Sequence, residues 1–313
     1  MKKKVKIGVV GVGHLGEIHV KLLKEIEEAE LIGVYDIDFE RSKKVASEYD
    51  CKCFKSLEEI FSEVDAISCC VPTLSHFQIG KKVLLSGKHL FLEKPIATKI
   101  TEAKILKNIS EKKKLIFQIG HIERFNPAIK AVKNLIKNPL FIESERLSLY
   151  SERGTDVDVI LDLMIHDIDI VFYLTNMKAK VVDAVGVPVL TDKIDIANAR
   201  VKLENNGIVS FSASRVSREK YRKIRFFQKD MYISVNYAER NAEVYVKKGN
   251  AILPYKVNIP EGNPLREELT LFINSIISKK KPPVGADDAI RALDFALKIK
   301  RKIYQNLKKV KLV

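Results

Sequence analysis

Residues 4–16 read KVKIGVVGVGHLG. The first seven are a short β-rich apolar run. Gly11-Val12-Gly13-His14-Leu15-Gly16 follows, and an amphipathic run then continues to about Glu28. This is G-x-G-x-x-G between a strand and a helix. The first glycine permits the tight turn, the second lets the backbone approach a pyrophosphate, and the third lets helix and strand pack closely. The opening of that helix, at His14, Leu15 and Gly16, offers N–H groups to phosphates. The next strand, Leu31 to Tyr35, ends in Asp36, 20 residues past Gly16. An acid at that spacing hydrogen-bonds the ribose hydroxyls of NAD. Asp36 argues against a 2′-phosphate, while Arg41 nearby keeps NADP open. The bland alternative is a glycine turn with a fortuitous acid.

Outward from this stretch, strands and helices alternate. Helices are expected at 41–49, 56–61, 75–86 and 101–112, the second capped by Ser56 with Glu59 at the capping-box position. Strands are expected at 52–54, 65–71, 89–92 and 115–119. The pattern predicts a doubly wound parallel sheet, whose ligands lie at the carboxyl ends of the strands. Three polar clusters fall there: the glycine loop, Pro72-Thr73-Leu74-Ser75-His76, and Glu93-Lys94-Pro95. Pro72, Thr73, His76, Glu93 and Lys94 are therefore candidate cofactor contacts. His76 reads either as a cap of its own helix or as a cofactor neighbour. Lys94 reads either as a solvated lysine or as one desolvated beside a nicotinamide, with a lowered pKa suited to a reacting hydroxyl.

After Gly120 the pattern changes. A helix at 127–137 leads into extended stretches at 140–150, 181–190, 196–204, 207–216, 221–228, 231–237, 242–247 and 251–257. Asn205-Asn206-Gly207 is a hairpin signal between two of them. Helices at 264–279 and 286–307 close the chain. The expected fold class is α/β: an N-terminal doubly wound parallel sheet over 1–122, then an α+β domain over 123–313 with a large, mainly antiparallel open sheet.

One helix, 157–174, interrupts the strands. Residues 156–174 read DVDVILDLMIHDIDIVFYL, with Asp158, Asp162, His166 and Asp169 on one face of an otherwise apolar helix. Carboxylates in such a helix need partners, because an unpaired buried charge is costly. Three readings stand: a core helix with satisfied acids, an active-site helix in which Asp162 orients and tunes His166, or an Asp/His metal pair.

Composition narrows the class. The chain has 313 residues, 46% hydrophobic and 30% charged, as in an ordinary globular protein. No apolar run is long enough for a membrane span, and Lys6 and the glycines spoil a signal peptide, so cytoplasmic residence is expected. The net charge of +15 comes from lysines spread along the chain, without a nucleic-acid motif. Cys51, Cys53, Cys69 and Cys70 lack zinc or redox spacing and read as small apolar residues; no metal site is expected.

Residues 5–16, Asp36, Glu93-Lys94-Pro95 and Asp162-x-x-x-His166, in this order, resemble the Gfo/Idh/MocA oxidoreductases across essentially the whole chain. The resemblance implies a Rossmann domain followed by an open-sheet domain. It implies that Lys94, Asp162 and His166 surround the nicotinamide and the reacting carbinol as the catalytic residues. Met164 stands where the family often has glycine. GHIERFNP (120–127), RGTDVDVILDLMIHDID (153–169), DAVGVPVL (183–190), DIANAR (195–200) and SASRVS (212–217) are similar to a branch that oxidises the 3-hydroxyl of UDP-N-acetylglucosamine to a ketone. An aminotransferase uses that product in making a diamino-sugar lipid A. NAD is the implied cofactor, and a nucleotide-linked sugar the implied partner, with no nucleic acid or membrane. A homodimer or homotetramer through the C-terminal sheet is also implied. Arg124, Arg153 and Arg215 are candidates for the diphosphate, since guanidinium suits bidentate phosphate contacts; each could equally serve an ion pair. The competing functions are a dehydrogenase of another polyol (an inositol or an aldose), a non-catalytic NAD-binding regulator and, behind these, a metal-dependent hydrolase.

Overall fold

The computed structural model describes residues 4–151 and 154–309. Their contacts divide the chain into two compact units, Met1–His121 with Leu265–Ile290, and Ile122–Pro264 with Arg291–Val313.

In the first unit, β1 (Val5–Val10), β2 (Ala29–Tyr35), β3 (Lys52–Cys53), β4 (Ala66–Cys69), β5 (His89–Glu93) and β6 (Phe117–Gly120) form one parallel sheet. Its order is β3-β2-β1-β4-β5-β6. The direction of winding reverses between β1 and β4, which is where a doubly wound sheet opens its ligand crevice. Strands covered on both faces must be apolar throughout, and β4 is buried at all four positions. The crossovers run through α1 (His14–Glu25), α2 (Phe39–Glu48), α3 (Leu57–Glu63), α4 (His76–Leu85) and α5 (Ile100–Lys112). Ser56 caps α3 by accepting from the Glu59 N–H at 3.1 Å. The Glu59 carboxylate reaches back to the N–H of Lys55, one residue beyond the position a capping box uses.

The change of pattern after Gly120 predicts a second domain over 123–313, but Leu265–Ile290 groups with the first unit. Phe272 of α8 (Pro264–Ser278) packs edge-on against Phe91, with centroids 5.7 Å apart. Gln118 Nε2 donates to the Glu268 carbonyl at 3.1 Å, and the Ile119 N–H to that of Val284 at 3.1 Å. These contacts join residues some 150 positions apart, so no local pattern announces them.

In the second unit, β7 (Phe141–Leu147), β8 (Ala179–Val187), β9 (Ile196–Leu203), β10 (Ile208–Ser214), β11 (Tyr221–Gln228), β12 (Met231–Asn236), β13 (Asn241–Lys248) and β14 (Ala251–Pro254) form one sheet. Its order is β14-β13-β12-β11-β7-β10-β9-β8, antiparallel except for β7 beside β10. Asn205-Asn206-Gly207 turns β9 into β10, with Asn206 at φ +67°. Alternation decides the two faces: Ile142, Val209, Phe211, Ile224, Phe226 and Ile233 are buried on the inner face. The outer face carries Phe141, Phe227, Tyr232 and Tyr245 in a row, with successive centroids 5.3, 5.1 and 6.2 Å apart. Short helix α6 (Pro127–Val132) is capped by Asn126; the helix expected to reach residue 137 gives way to a 3₁₀ turn at Lys133–Leu135.

The helix of acids differs from a plain α-helix. Ile160–Met164 is wound as a π-turn, and α7 (Ile165–Thr175) continues from it. Asp158 accepts from the N–H groups of Ile160 and Leu161 at 3.1 Å, which fixes the start of the turn. Hydrophobic spacing does not distinguish a single wide turn from an ordinary one, although such turns recur at functional sites.

Candidate functional site

The crevice end of the first unit is built from backbone. Gly11 has φ +85°, and a Cβ there would lie 2.8 Å from the backbone of Cys70 and Val71. A Cβ on Gly16 would lie 1.9 Å from the Gly11 carbonyl oxygen. Gly13 differs from both: its φ is −65° and a Cβ would meet nothing within 4 Å. The protein itself therefore does not require glycine at 13, and the space beside it is open. Gly13 is the N-cap of α1 without a side-chain cap, so the first-turn N–H groups at His14, Leu15 and Gly16 have no capping side chain and suit an anion.

Asp36 closes β2 beside this loop. Its Oδ2 accepts from the Val12 N–H at 2.8 Å and its Oδ1 from the Asp38 N–H at 2.9 Å. A carboxylate has about four acceptor sites, so capacity remains for ribose hydroxyls. Arg41 lies 3.6 Å from Asp36 and 3.1 Å from Asp38. Ile37, next to Asp36, is 95% exposed and offers apolar surface to a base. These residues fit a dinucleotide.

Behind the crevice sits a buried polar cluster. His19 Nδ1 is 2.8 Å from Ser68 Oγ, and its Nε2 is 3.3 Å from Glu93 Oε1. Burial would raise the Glu93 pKa, but the His19 hydrogen bond and charge, with Lys94 and His76, hold it below the ordinary value. His76 begins α4 fully buried, with Nδ1 2.7 Å from the Pro95 carbonyl and Nε2 3.0 Å from that of Val71. Burial pushes its pKa down against the pull of those carbonyls and Glu93. The imidazole is thus neutral at pH 7 and donates to one carbonyl only. His76 lies between the Pro72–His76 loop and the Lys94-Pro95 turn, with both ring nitrogens facing backbone carbonyls. Pro72 is exposed, while Thr73 and Lys94 are half-buried. Cys51, Cys53, Cys69 and Cys70 are free thiols; burial raises Cys51 to about 11 and Cys69 to about 12.

In the second unit the polar stripe separates into two classes. Asp158 is buried against Lys300 Nζ at 2.5 Å. Asp169 is buried in a bidentate pair with Arg124, at 2.7 and 2.5 Å, and Arg124 lies over the Tyr173 ring. Asp162 and His166 are half-buried. Asp167, off the polar face that the helical spacing marks, is also buried. It holds Arg146 of β7 through two bonds of 2.9 Å, and Arg146 Nη1 reaches Glu123 at 2.9 Å. Burial opposes the Arg146 charge, but Asp167 and Glu123 outweigh it and raise its pKa.

The expected phosphate arginines fare differently. Arg124 is committed to Asp169. Arg215, 3% exposed, donates to the carbonyls of Gly154 at 3.3 Å and Val157 at 2.8 Å. A Cβ on Gly154, whose φ is +72°, would lie 2.7 Å from Asp162 Oδ2, so the segment that Arg215 holds lies against the Asp162 carboxylate. Both guanidinium groups are thereby used inside the fold, where burial demands pairing. Arg153 lies outside the described residues. Arg146, Asp195 and Arg222 were not anticipated. Asp195 accepts from the N–H groups of Val189, Leu190 and Thr191 at 2.7–2.8 Å.

Residues 5–121 match the model of an oxidoreductase family with an NAD-binding Rossmann fold, and residues 143–252 that of the GFO/IDH/MocA C-terminal domain. The chain is 36% identical to UDP-N-acetylglucosamine 3-dehydrogenase of Acidithiobacillus ferrooxidans over 95% of its own length and 96% of that protein. A solved structure of that enzyme superposes with a TM-score of 0.90, covering 96% of this chain and 98% of the other at 34% identity. Myo-inositol 2-dehydrogenase of Thermotoga maritima is 25% identical over 92% of this chain and 93% of its own. No helix among the described residues is long and apolar enough to cross a membrane.

Proposed function

Because the chain belongs to the GFO/IDH/MocA family of oxidoreductases, we propose that it is an NAD-dependent dehydrogenase oxidising a sugar hydroxyl to a ketone, with the 3-hydroxyl of UDP-N-acetylglucosamine as its target. The observation that carries the reading is the division within the polar stripe. Asp158 and Asp169 are buried on cations, whereas Asp162 and His166 keep access to solvent. The full-length likeness to a UDP-sugar dehydrogenase supports the substrate over a free polyol.

NAD, when bound, supplies the hydride acceptor. Gly11, Gly13 and Gly16 shape its diphosphate site, His14 and Leu15 contribute backbone N–H groups, and Asp36 receives ribose hydroxyls. Arg41 lies beside Asp36 and Asp38, which supports NAD over NADP. His166 removes the hydroxyl proton and Asp162 orients and tunes it. Lys94, on the ligand edge of the parallel sheet, polarises the reacting oxygen. Arg124 and Arg215 act as scaffold for α7 and for the segment over Asp162.

The outer sheet face, with its aromatic row and the exposed Val182, Val185 and Val187, is proposed as the contact of a homodimer or homotetramer. Sedimentation equilibrium tests it; a monomer at micromolar concentration would refute it. The free thiols suit a reducing cytoplasm.

The deciding experiment is absorbance of reduced nicotinamide with NAD and UDP-N-acetylglucosamine, a ketone trap, and inositol and glucose as controls. Reduction with the UDP-sugar alone is expected. His166→Ala should lower turnover by about 10²–10⁴-fold while NAD still binds. Reduction only with a free polyol would discard the substrate, and near-normal turnover of the variant would discard the base.

A further inference from the structure

β11 presents Arg222, Ile224 and Phe226 on one face of the sheet, where Ile224 and Phe226 are fully buried and Arg222 is half-buried. Its cross-strand neighbour is Arg146 of β7. Two guanidinium groups side by side repel, and each needs its own counter-charge. Arg146 has two, in Asp167 and Glu123. Among the described residues, no hydrogen bond or ion pair reaches the Arg222 side chain. Its peptide carbonyl accepts from the Tyr237 N–H at 3.0 Å, so the strand holds the residue in place without satisfying the charge. Burial and Arg146 both depress its pKa, against the pull of Glu123, Asp167 and Asp162. Arginine stays protonated regardless, so this position retains a cation at an energetic cost. Arg146, beside Arg222 in the sheet, is bonded to Asp167, the residue that follows His166 in α7. Arg222 therefore stands one strand from the arginine that anchors the α7 segment bearing the proposed base.

We propose that Arg222 recognises the phosphate of an anionic sugar substrate, its fork of N–H donors engaging phosphoryl oxygens where no partner stands among the described residues. This deepens the dehydrogenase reading and rests on it for the substrate. In a sugar linked to a diphosphate at the anomeric carbon, the anion is only two ring carbons from a 3-hydroxyl. A cation near the acid–base pair is therefore suitably placed to read it. A neutral polyol offers Arg222 hydroxyl oxygens but no counter-charge. The residue thus separates phosphorylated from free sugars, which Arg124 and Arg215, already committed, do not.

The test compares wild type, Arg222→Gln and Arg222→Lys, each with NAD bound. Titration calorimetry with UDP and with inorganic pyrophosphate reads anion binding without turnover; steady-state rates with UDP-N-acetylglucosamine and inositol read its use. Arg222→Gln should weaken UDP binding and raise KM for the UDP-sugar by about 10–100-fold, the loss of a charge-assisted bond. NAD affinity and thermal midpoint should hold, and kcat should fall less than kcat/KM. Arg222→Lys should recover part of the affinity, since it keeps the charge but not the fork. Unchanged UDP and pyrophosphate binding in Arg222→Gln would overturn the proposal, as would wild type that binds neither anion. An equal loss of kcat on charged and neutral substrates would also overturn it, making Arg222 a partner of Asp162 alone. If wild type does not oxidise the UDP-sugar but its UDP binding still depends on Arg222, the anion site stands and the substrate reading fails.

Discussion

The glycine loop after β1 and the helix α7 with its π-turn both gather polar groups for chemistry, yet they are made of opposite materials. The loop is backbone: Gly16 cannot gain a Cβ without meeting the Gly11 carbonyl, and Gly13 leaves open space. The helix is charge: Asp158, Asp167 and Asp169 are each buried on a separate cation. A site made of backbone tolerates changes of charge and fails on added atoms. One made of buried ion pairs tolerates changes of shape and fails when one partner goes.

The largest effect that would break this contrast is at Arg146. Arg146→Met keeps most of the volume but strands Asp167 and Glu123 as buried carboxylates. Removing one member of such a network costs about 3–5 kcal/mol, read as a lower urea midpoint for unfolding of the second unit. Asp167→Asn should destabilise less, because Arg146 keeps Glu123. A neutral Arg146→Met would mean that apolar packing, not charge, holds α7. The two glycines test the other half. Gly16→Ala forces overlap with backbone and should destabilise by about 1–3 kcal/mol. Gly13→Ala meets no protein atom and has an ordinary φ. It should leave the thermal midpoint unchanged and weaken NAD binding at least about tenfold. If both variants lose stability alike, the space at Gly13 is not reserved for a ligand.

The same contrast explains what could be read from the chain. The glycine spacing, Asp36 and the strand–helix alternation are local patterns, so the parallel sheet and its crevice were legible. The open antiparallel sheet was too, through period-two alternation and Asn205-Asn206-Gly207. The partners of the acids were not, because ion pairs such as Arg146 with Asp167 and Lys300 with Asp158 join distant segments. The stripe was visible as a polar face, but Asp167, one residue beside His166, lies off that face and is paired all the same. His76 was visible, but that both its nitrogens meet backbone carbonyls was not. The commitment of Arg215 to Gly154 and Val157, and the lack of any such bond at Arg222 among the described residues, likewise emerge only from the fold.

Asp195 sharpens the charge side by pH. Burial would raise its pKa, but the N–H groups of Thr191, Leu190 and Val189 outweigh burial and hold it below the ordinary value. A carboxyl depressed in the folded state contributes stability above its unfolded pKa, about 3.9, and loses it as pH falls through the folded value. Asp195→Asn should therefore cost about 1–2 kcal/mol at pH 7. The gap to wild type in urea midpoint should shrink below about pH 4. A constant gap would show that the loop is held by shape.

Asp36 is the exception that tests whether the contrast is complete: a carboxylate inside the backbone-built site. It does two things at once, accepting the Val12 and Asp38 N–H groups and standing beside Arg41. Asp36→Ser keeps a short acceptor but removes the charge that repels a 2′-phosphate, leaving Arg41 with Asp38 as its one carboxylate partner among the described residues. The NAD:NADP affinity ratio should then fall about tenfold, ~1.4 kcal/mol, with the loop intact by thermal midpoint. An unchanged ratio with a lowered midpoint would make Asp36 a clamp on Val12 rather than a reader of the ribose. The glycine loop would then depend on a buried charge, as α7 does, and the distinction between the two regions would be one of degree.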